Sequence, residues 1–355
     1  MILYAGSFTE MIDDTLGGHG DGIYCLDFDP SNGLLRQRHQ ATAVNPTYLS
    51  IPSAQRLYTH TELLASKSPR IQAYRINPQD FSLELINERP VPGGCPCHIQ
   101  YFKPNDCMLL SCYETGNVFV YPLGAQGQLL PLAGTIQHEG RSVNELRQEK
   151  AHAHAAIADA LDHILVPDLG MDKIVAYQLV QQNDDFRPVM IQQLTQPPGS
   201  GPRHIGIHFE TNRIFLMSEL TAAVSAMRYR NRHIEVICTS PTLPKEFTGV
   251  PSGAAIRVSA NGKFIYTSER ISGCVTVLRF DPDSETLEIV DRQSTLGKTP
   301  RDVHLDPSGR WLLAANQDSD SIAVFGIDEI TGNIKAVHLA EGIKSPACLE
   351  WLPRE

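Results

Sequence analysis

The chain has 355 residues, of which 42 % are hydrophobic and 20 % charged, and its formal net charge at pH 7 is −10. This charge argues against the concentrated basic surface that binds nucleic acid or an anionic membrane, and no apolar run approaches the 18 or so residues of a membrane span. We therefore expect neither nucleic acid nor a membrane as a partner. An anionic ligand would have to meet a local cluster of arginines.

The cysteines and the first residues bear on the compartment. The eight cysteines are dispersed through apolar strand contexts, which fits small buried thiols in a reducing environment rather than a disulfide framework. The segment Met1–Gly6 has no basic residues ahead of its apolar ones, so it lacks the pattern of a secretory signal peptide. The sequence predicts a cytoplasmic protein and leaves monomer and homodimer both open.

Seven short segments, each leading into an apolar strand, recur along the chain every 46 to 56 residues. A period of this length indicates a repeated supersecondary unit. After each start come a strand, a polar turn and further short strands, and no helical stripe interrupts them. The second residues of the seven starts are Pro46, Pro96, His152, Pro202, Gly253, Pro300 and Pro346.

The unit from Gly201 to Thr239 illustrates the pattern. Ile205, Ile207 and Phe209 alternate with His204, Gly206 and His208, which is the period of a half-buried strand. Three more short strands follow within about 40 residues, a length typical of one four-stranded propeller blade.

The two ends of the chain complement each other. The last repeat begins at Ser345 and has room for only one strand, whereas the N-terminus supplies strands without a start of its own. A C-terminal strand that joins the N-terminal blade closes the ring and leaves no free sheet edge. The sequence thus predicts an all-β, seven-bladed β-propeller with four antiparallel strands per blade, in which residues 1–355 form a single domain. A linear solenoid would need polar caps, which these apolar termini are not.

Inner-strand starts and second-strand ends should meet at one end of the central channel. The histidines His98, His154 and His204 come from neighbouring blades, and arginines and a glutamate share their rim. Such a cluster suits a small anionic molecule with a general acid or base beside it. The long connections expected to wall this pocket are Thr9–Asp21, Gln137–Lys150 and Ser240–Gly253.

Simpler interpretations stand beside this one. His98 is at least as well explained as a buried residue that ties two blades together, and Arg203 could serve only to cross-link blades through Glu219. His152-Ala-His154 could bind a metal, but no further ligand is assured. Cys95-Pro-Cys97 is too tight for a zinc site. Gly17-Gly-His-Gly20 does not lie between a strand and a helix, so it is not a phosphate-binding loop, and we predict no cofactor.

Several motifs in fixed order carry a resemblance to a known family. They include Arg147-Gln-Glu-Lys-Ala-His-Ala-His154, Gly201-Pro-Arg-His204, Ser218-Glu-Leu220 and Thr299-Pro-Arg301. With these motifs the chain resembles the lactonase family of seven-bladed propellers, which contains propeller-type 6-phosphogluconolactonases and fungal carboxymuconate lactonizing enzymes. The resemblance implies a metal-free site in which His154, Arg203, Glu219 and Arg270 transform a lactone or its ring-opened acid. Ser268-Glu-Arg270 departs from the family's usual Asn or Asp before the arginine.

The resulting hypothesis is hydrolysis of an acidic sugar lactone, most simply 6-phosphogluconolactone, with a small anionic lactone as the partner. Arg203 and Arg270 would hold the anionic groups and the developing oxyanion, with His154 as the base and Glu219 as its orienting group. We also expect substrate contacts from His152, His204, Arg301 and Gln317. Two alternatives remain: a lactone-forming cycloisomerase of the carboxymuconate type that uses the same four residues, and a non-catalytic propeller that binds a partner protein.

Overall fold

The computed structural model describes residues 1–183, 185–231 and 233–353. Seven sheets of four antiparallel strands are arranged in a ring, so the predicted seven-bladed β-propeller is confirmed. The only helices in the described part are three 3₁₀ turns, at Ala65–Lys67, Lys103–Asn105 and Gln317–Ser319. None of the described helices is long and apolar enough to cross a membrane.

The strands are as follows, in chain order. Blade 1 contains β1 (Ile2–Ser7), β2 (Ile23–Asp29) and β3 (Leu34–Ala41). Blade 2 contains β4 (Leu49–Ser53), β5 (Arg56–His60), β6 (Arg70–Ile76) and β7 (Leu83–Pro90). Blade 3 contains β8 (Pro96–Phe102), β9 (Cys107–Cys112), β10 (Asn117–Pro122) and β11 (Gly134–Gln137). Blade 4 contains β12 (Ile157–Ala158), β13 (Ile164–Asp168), β14 (Lys173–Gln182) and β15 (Asp185–Thr195). Blade 5 contains β16 (Pro202–His208), β17 (Arg213–Ser218), β18 (Ala223–Arg230) and β19 (His233–Pro241). Blade 6 contains β20 (Gly253–Val258), β21 (Phe264–Glu269), β22 (Cys274–Asp281) and β23 (Thr286–Ser294). Blade 7 contains β24 (Pro300–Leu305), β25 (Trp311–Asn316), β26 (Ser321–Ile327) and β27 (Ile334–Glu341), and β28 (Pro346–Trp351) returns to blade 1.

The ring closes through β28. This strand pairs antiparallel with β1, with Leu3 opposite Trp351 and Ala5 opposite Leu349. The C-terminal strand is therefore the innermost strand of blade 1, as the sequence predicts, and β1 gains a partner on each side.

Burial follows the strand order within each blade. The second strands β9 and β21 are buried at every residue, because neighbouring blades pack on both of their faces. The outermost strands, such as β15, alternate between exposed and partly buried residues. One apolar cluster joins Leu3 and Tyr24 of blade 1 to Leu313 and Val324 of blade 7. The core is thus a set of interfaces between blades rather than one central mass.

A repeated backbone hydrogen bond determines where side chains emerge at one end of the channel. In every blade, a residue at the end of the second strand donates its N–H to the carbonyl of the residue that opens the inner strand, as Glu219 does to Gly201 at 2.7 Å. We call these donors the outer ring, and the residues two positions after each opening residue the inner ring. The outer ring is Phe8, Glu62, Tyr113, Leu169, Glu219, Arg270 and Gln317. The inner ring is Thr47, Cys97, His154, Arg203, Ala254, Arg301 and Ala347.

Local backbone geometry at the strand starts aims the inner-ring side chains. The strand register shifts between Pro202 and His204, and again between Pro300 and Asp302, so that Arg203 and Arg301 are the extra residues of β-bulges. A bulge re-aims the side chain of its unpaired residue. The residue ahead of Pro202 has a left-handed backbone with φ of 64°, and glycine, Gly201, occupies this position without steric cost.

Blade 4 departs from the predicted pattern. Its regular inner strand is only Ile157–Ala158, and His152 and His154 lie in the irregular segment before it, where Ala153 makes a single bridge to Asp168. The backbone N–H of Leu169 donates to the carbonyl of His152, as that of Glu219 does to Gly201. His152 is therefore equivalent to Gly201 and not to Pro202. His154 therefore occupies the position of Arg203 and Arg301, one residue away from the alignment that the sequence suggested.

Candidate functional site

A cavity of about 530 Å³ opens at the end of the channel where the two rings lie. Its wall contains inner- and outer-ring side chains together with two of the three long connections, Thr9–Asp21 and Gln137–Lys150. The third, Ser240–Gly253, contributes Ser252 to an adjoining cavity and nothing to this one. The ring residues on the wall are Glu62, Cys97, Tyr113, His154, Glu219, Arg270 and Arg301.

Three arginines surround the carboxylate of Glu219. Arg203 Nε donates to Oε2 at 3.0 Å, and Arg147 Nη2 donates to Oε1 at 2.6 Å. Arg270 Nη2 lies 2.9 Å from the same Oε1. The Glu219 side chain is 2 % exposed. Burial alone raises the pKa of this carboxyl, but the charges of Arg270, Arg147 and Arg203 outweigh it and hold the pKa well below its usual value. Glu219 is therefore an anion at every physiological pH.

The three arginines differ in their access to the cavity. Arg203 is 3 % exposed and lies beneath Glu219, where its Nη1 also donates to the Ala254 carbonyl of blade 6 at 2.6 Å. It links two blades and is not on the cavity wall, which differs from the expectation that it holds the substrate directly. Arg270 and Arg147 do line the cavity, with side chains 15 % and 43 % exposed. Burial lowers the pKa of Arg203, to about 10, so it remains a cation.

His154 lies on the cavity wall next to Glu219. Its Nε2 is 3.8 Å from Glu219 Oε2, and its ring meets that of Tyr113 edge to face with centroids 5.6 Å apart. Burial and the charge of Arg203 lower the pKa of His154 well below its usual value, against the opposing charge of Glu219. The imidazole is consequently neutral at pH 7 and can accept a proton.

His152 also lines the cavity, but its polar atoms have other partners. Nδ1 donates to the Tyr113 carbonyl at 2.8 Å, Nε2 lies 3.2 Å from Glu149 Oε2, and the ring stacks on Tyr113 with centroids 4.2 Å apart. Its Nε2 and that of His154 thus face different carboxylates. In the part of the chain that the structure describes, no group of three or more His, Cys, Asp or Glu residues is arranged to hold a metal ion.

His204 lies below the cavity rather than on its wall. Its ring meets those of His154, His98 and Tyr48, with centroids 5.2, 5.7 and 5.8 Å away. Arg203 Nη1 contacts its Nδ1 at 3.1 Å. The three predicted histidines therefore do converge, but as a buried column inside the channel, of which only His154 reaches the cavity. His98 also links blades, since its Nδ1 lies 3.5 Å from the backbone N–H of Ala156.

A second cavity of about 520 Å³ adjoins the first. The two share Thr15, Leu16, Arg270 and Arg301 as wall residues. Gln317 lines only the second one, where its Oε1 accepts a hydrogen bond from Arg301 Nη1 at 3.3 Å. The predicted residues Arg301 and Gln317 are therefore together, at the boundary between the cavities.

Most carboxylates near the second-strand ends have structural roles. Asp168 accepts the backbone N–H of His152 at 2.9 Å and contacts His138 Nδ1 at 2.7 Å, and Glu269 accepts the N–H of Ser252 at 2.6 Å. Glu114 accepts the N–H of Ala65 at 2.8 Å. Glu219 differs from these because guanidinium groups, and not backbone amides, occupy its oxygens.

Two residues of the site escaped the sequence reasoning. Arg147 begins a motif quoted for the family resemblance and lies in a connection predicted to wall the pocket, but nothing in its local sequence indicates that it reaches Glu219. Glu62 is 3 % exposed and bonded to Thr47 Oγ1. Its place in the outer ring is the same as that of Glu219, so the repeat alignment is the signal that would have found it.

Comparisons with known proteins show the family of this chain. The family model of the seven-bladed β-propeller lactonases matches residues 2–351. A 6-phosphogluconolactonase of Bacillus subtilis (strain 168) is 29 % identical, over 98 % of this chain and 97 % of its own. The structure of a Pseudomonas aeruginosa periplasmic gluconolactonase, PpgL, superposes with a TM-score of 0.90 at 27 % identity and covers 99 % of both chains. That of a putative 6-phosphogluconolactonase from Bacteroides fragilis gives 0.88 at 26 % identity, over 98 % of this chain and 97 % of its own. The chain belongs to the lactonase family of seven-bladed β-propellers.

Proposed function

We propose that this protein hydrolyses a sugar-acid lactone, with 6-phosphogluconolactone as its substrate, in the 530 Å³ cavity. The observation that carries the proposal is a neutral histidine, His154, beside a permanently ionised Glu219 that three arginines hold in place. The names of the Bacillus and Pseudomonas relatives support a lactone as the substrate class.

In the proposed reaction, water attacks the carbonyl carbon of the ring. His154 Nε2 takes the proton from that water, because His154 lines the cavity and its imidazole is uncharged. The tetrahedral intermediate then expels the ring oxygen, which receives the proton back from the imidazolium as a hydroxyl group. The products are one hydroxyl and one carboxylic acid, which ionises, so one water is consumed per lactone.

Glu219 contributes to this reaction by orientation and charge. A carboxylate whose pKa is held low by three arginines is a weak base, which favours His154 for the proton transfer. Its Oε2, 3.8 Å from His154 Nε2, stabilises the imidazolium that forms during the attack.

The arginines divide into two roles. Arg270 and Arg147 line the cavity and are the donors for the oxyanion that develops on the carbonyl oxygen. Arg203 acts as a positioning residue, because it reaches the substrate only through Glu219. Its bonds to Glu219 and to Ala254 fix the carboxylate against both blades.

The test measures hydrolysis of freshly generated 6-phosphogluconolactone above its spontaneous rate, with chelator-treated protein. We expect activity in the wild type, a loss of at least about 100-fold in His154→Ala, and a comparable loss in Arg270→Met. Arg75→Met is the matched control, since Arg75 and its partner Glu84 in blade 2 both have exposed side chains. A folded wild-type protein with no activity above background would contradict the proposal, and loss of activity on chelation would contradict a metal-free site.

The cycloisomerase alternative uses the same residues without consuming water. Hydrolysis in ¹⁸O-labelled water separates the two, because only a lactonase places a solvent oxygen in the product carboxylate. A product free of label would favour the cycloisomerase.

We propose the cytoplasm as the compartment. All eight cysteines are free, six of them buried, as expected for a chain that folds in a reducing environment. The Pseudomonas relative is named periplasmic, so fractionation of cells is the test, and recovery from the periplasm would overturn the assignment.

A further inference from the structure

Arg203 and Arg301 occupy equivalent positions in blades 5 and 7 but have different partners. Each follows a proline in a β-bulge at the start of an inner strand. The outer-ring residue beside Arg203 is Glu219, whereas the one beside Arg301 is the neutral Gln317. The same backbone geometry therefore gives one arginine a counter-charge and leaves the other without one.

The contacts of Arg301 are weak for a guanidinium group. Its one hydrogen-bond partner in the described residues is Gln317 Oε1 at 3.3 Å, and its Cζ lies 4.7 Å from the centroid of the Phe8 ring. No carboxylate of the described residues is in ion-pair contact with it. Glu62 and Glu219 act on it at longer range. Burial, however, raises the pKa of Glu62, which favours the uncharged form of that carboxyl, and Glu219 is already paired with three other arginines. Arg301 is thus a cation without a full counter-charge.

The charge around the two cavities also differs. On the wall of the first cavity, Asp13, Glu62, Glu114, Glu149 and Glu219 accompany the cationic side chains. Among the described residues on the wall of the second cavity, Asp318 is the one carboxylate, and its oxygen already accepts a hydrogen bond from Thr299. Arg270 and Arg301 belong to both walls, and the Nη2 of Arg270 is bound to Glu219. An anionic group is therefore best accommodated on the second side, against Arg301.

The connection Thr9–Asp21 covers this place with backbone. Gln317 Nε2 donates a hydrogen bond to the carbonyl oxygen of Gly17 at 3.0 Å, which ties the connection to the side chain that also contacts Arg301. The N–H groups of Gly17 and Gly18 have no acceptor among the described residues, and both glycines line the second cavity. A Cβ on Gly18 would lie 2.6 Å from Ser345 Oγ and 2.8 Å from Phe8 Cβ, so only glycine allows the backbone to approach this closely.

We propose that the second cavity is the subsite for the substrate's remote anionic group, a phosphate monoester, with Arg301 as its anchor and Gln317 and the Gly17–Gly18 backbone beside it. This inference rests on the proposed lactonase function. It orients the substrate with the lactone ring at His154 and Glu219, and with the phosphate beneath the Thr9–Asp21 connection. Arg301 is then a specificity residue, which distinguishes phosphorylated from unphosphorylated lactones.

The first experiment compares two substrates, 6-phosphogluconolactone and glucono-δ-lactone, in the wild type and in Arg301→Met. We expect the ratio of their kcat/KM values to fall by about 10- to 100-fold in the variant, as for the loss of one charge-assisted partner. An unchanged ratio would overturn the subsite. Arg301→Lys keeps the charge and serves if Arg301→Met does not fold. It should lower the ratio by a smaller factor of at least about 3, because an ammonium cannot reproduce the planar guanidinium.

The second experiment separates failure of the subsite from failure of the proposed function. Binding of inorganic phosphate is measured by calorimetry, without any turnover, in the wild type, Arg301→Met and the control Arg75→Met. Binding that is retained in the control and lost in Arg301→Met supports the subsite even if no lactone is hydrolysed. Binding that is equal in all three proteins, or absent from all of them, overturns it even if the wild type is an active lactonase.

Discussion

Acid should destabilise this protein at a pH where its carboxylates are still ionised, because several histidines are buried in its interior without charge. His60 is 0 % and His98 3 % exposed. Burial lowers the pKa of each to about 3, and the charge of Arg257 adds to the effect at His98. In the unfolded chain the pKa of a histidine is about 6.5. Between these values the unfolded state binds protons that the folded state does not, so stability falls as the pH falls.

The magnitude follows from proton linkage. Between pH 7 and pH 5.5, one histidine with a pKa of about 3 folded and about 6.5 unfolded reduces the free energy of unfolding by about 1.3 kcal/mol. His60 and His98 together contribute about 2.5 kcal/mol by the same calculation. His154 and His204, whose pKa values also lie well below 6.5 because of burial, add to the loss with the same sign. Glu62 opposes it, since burial raises the pKa of its carboxyl in the folded state.

Urea unfolding at pH 8, 7 and 5.5 measures this dependence, with His98→Phe as the variant. Phenylalanine retains a ring against Tyr48, whose centroid is 4.5 Å from that of His98. Between pH 7 and 5.5, we expect the free energy of unfolding to fall by about 1.3 kcal/mol less in the variant than in the wild type. Between pH 8 and 7, the difference in free energy of unfolding between the two proteins should be nearly constant. A wild-type stability that does not fall below pH 7, or an identical fall in both proteins, would refute the reasoning.

Three further predictions concern the site and the ring. Glu219→Gln should reduce the free energy of unfolding by about 3–5 kcal/mol in urea titrations, because three guanidinium groups lose their counter-charge. In the Glu219→Gln background, Arg203→Met should then cost less stability than it does in the wild type. Strictly additive effects of the two substitutions would argue against a coupling between Arg203 and Glu219. Arg147→Met should cost less than about 1 kcal/mol of stability, since the Arg147 side chain is 43 % exposed and two other arginines still pair with Glu219. Its kcat/KM should nevertheless fall by at least about 10-fold, and unchanged kinetics would remove Arg147 from the site. A chain that ends at Ile343 lacks β28 and leaves β1 as a free edge. It should show no cooperative thermal transition by circular dichroism. A transition like that of the full chain would contradict ring closure through this strand.

The sequence by itself determined the architecture. Proline-containing starts at a regular spacing, alternating apolar residues and turn residues between them are local signals, and each blade is a local unit whose four strands are consecutive in the chain. Even the closure by β28 could be deduced, because the final start at Ser345 leaves room for only one strand.

The candidate site could be predicted only in part from the sequence. The equivalence of strand starts brings His154, Arg203 and Arg301 to one end of the channel, and the second-strand ends add Glu219. The one-residue offset in blade 4 could not be seen, because the irregular segment around His152 replaces a regular strand there, and only the hydrogen bond from Leu169 fixes its alignment.

The tertiary structure decided which charges pair. Arg203 and Arg301 stand in nearly the same local sequence, Gly-Pro-Arg and Thr-Pro-Arg. The first is buried beneath Glu219 and the second faces two cavities, and Arg147 reaches Glu219 from a connection 72 residues away in the chain. The reason is physical: strand pairing depends on neighbouring residues, whereas the energy of a buried charge depends on every group that the fold brings within a few ångströms of it.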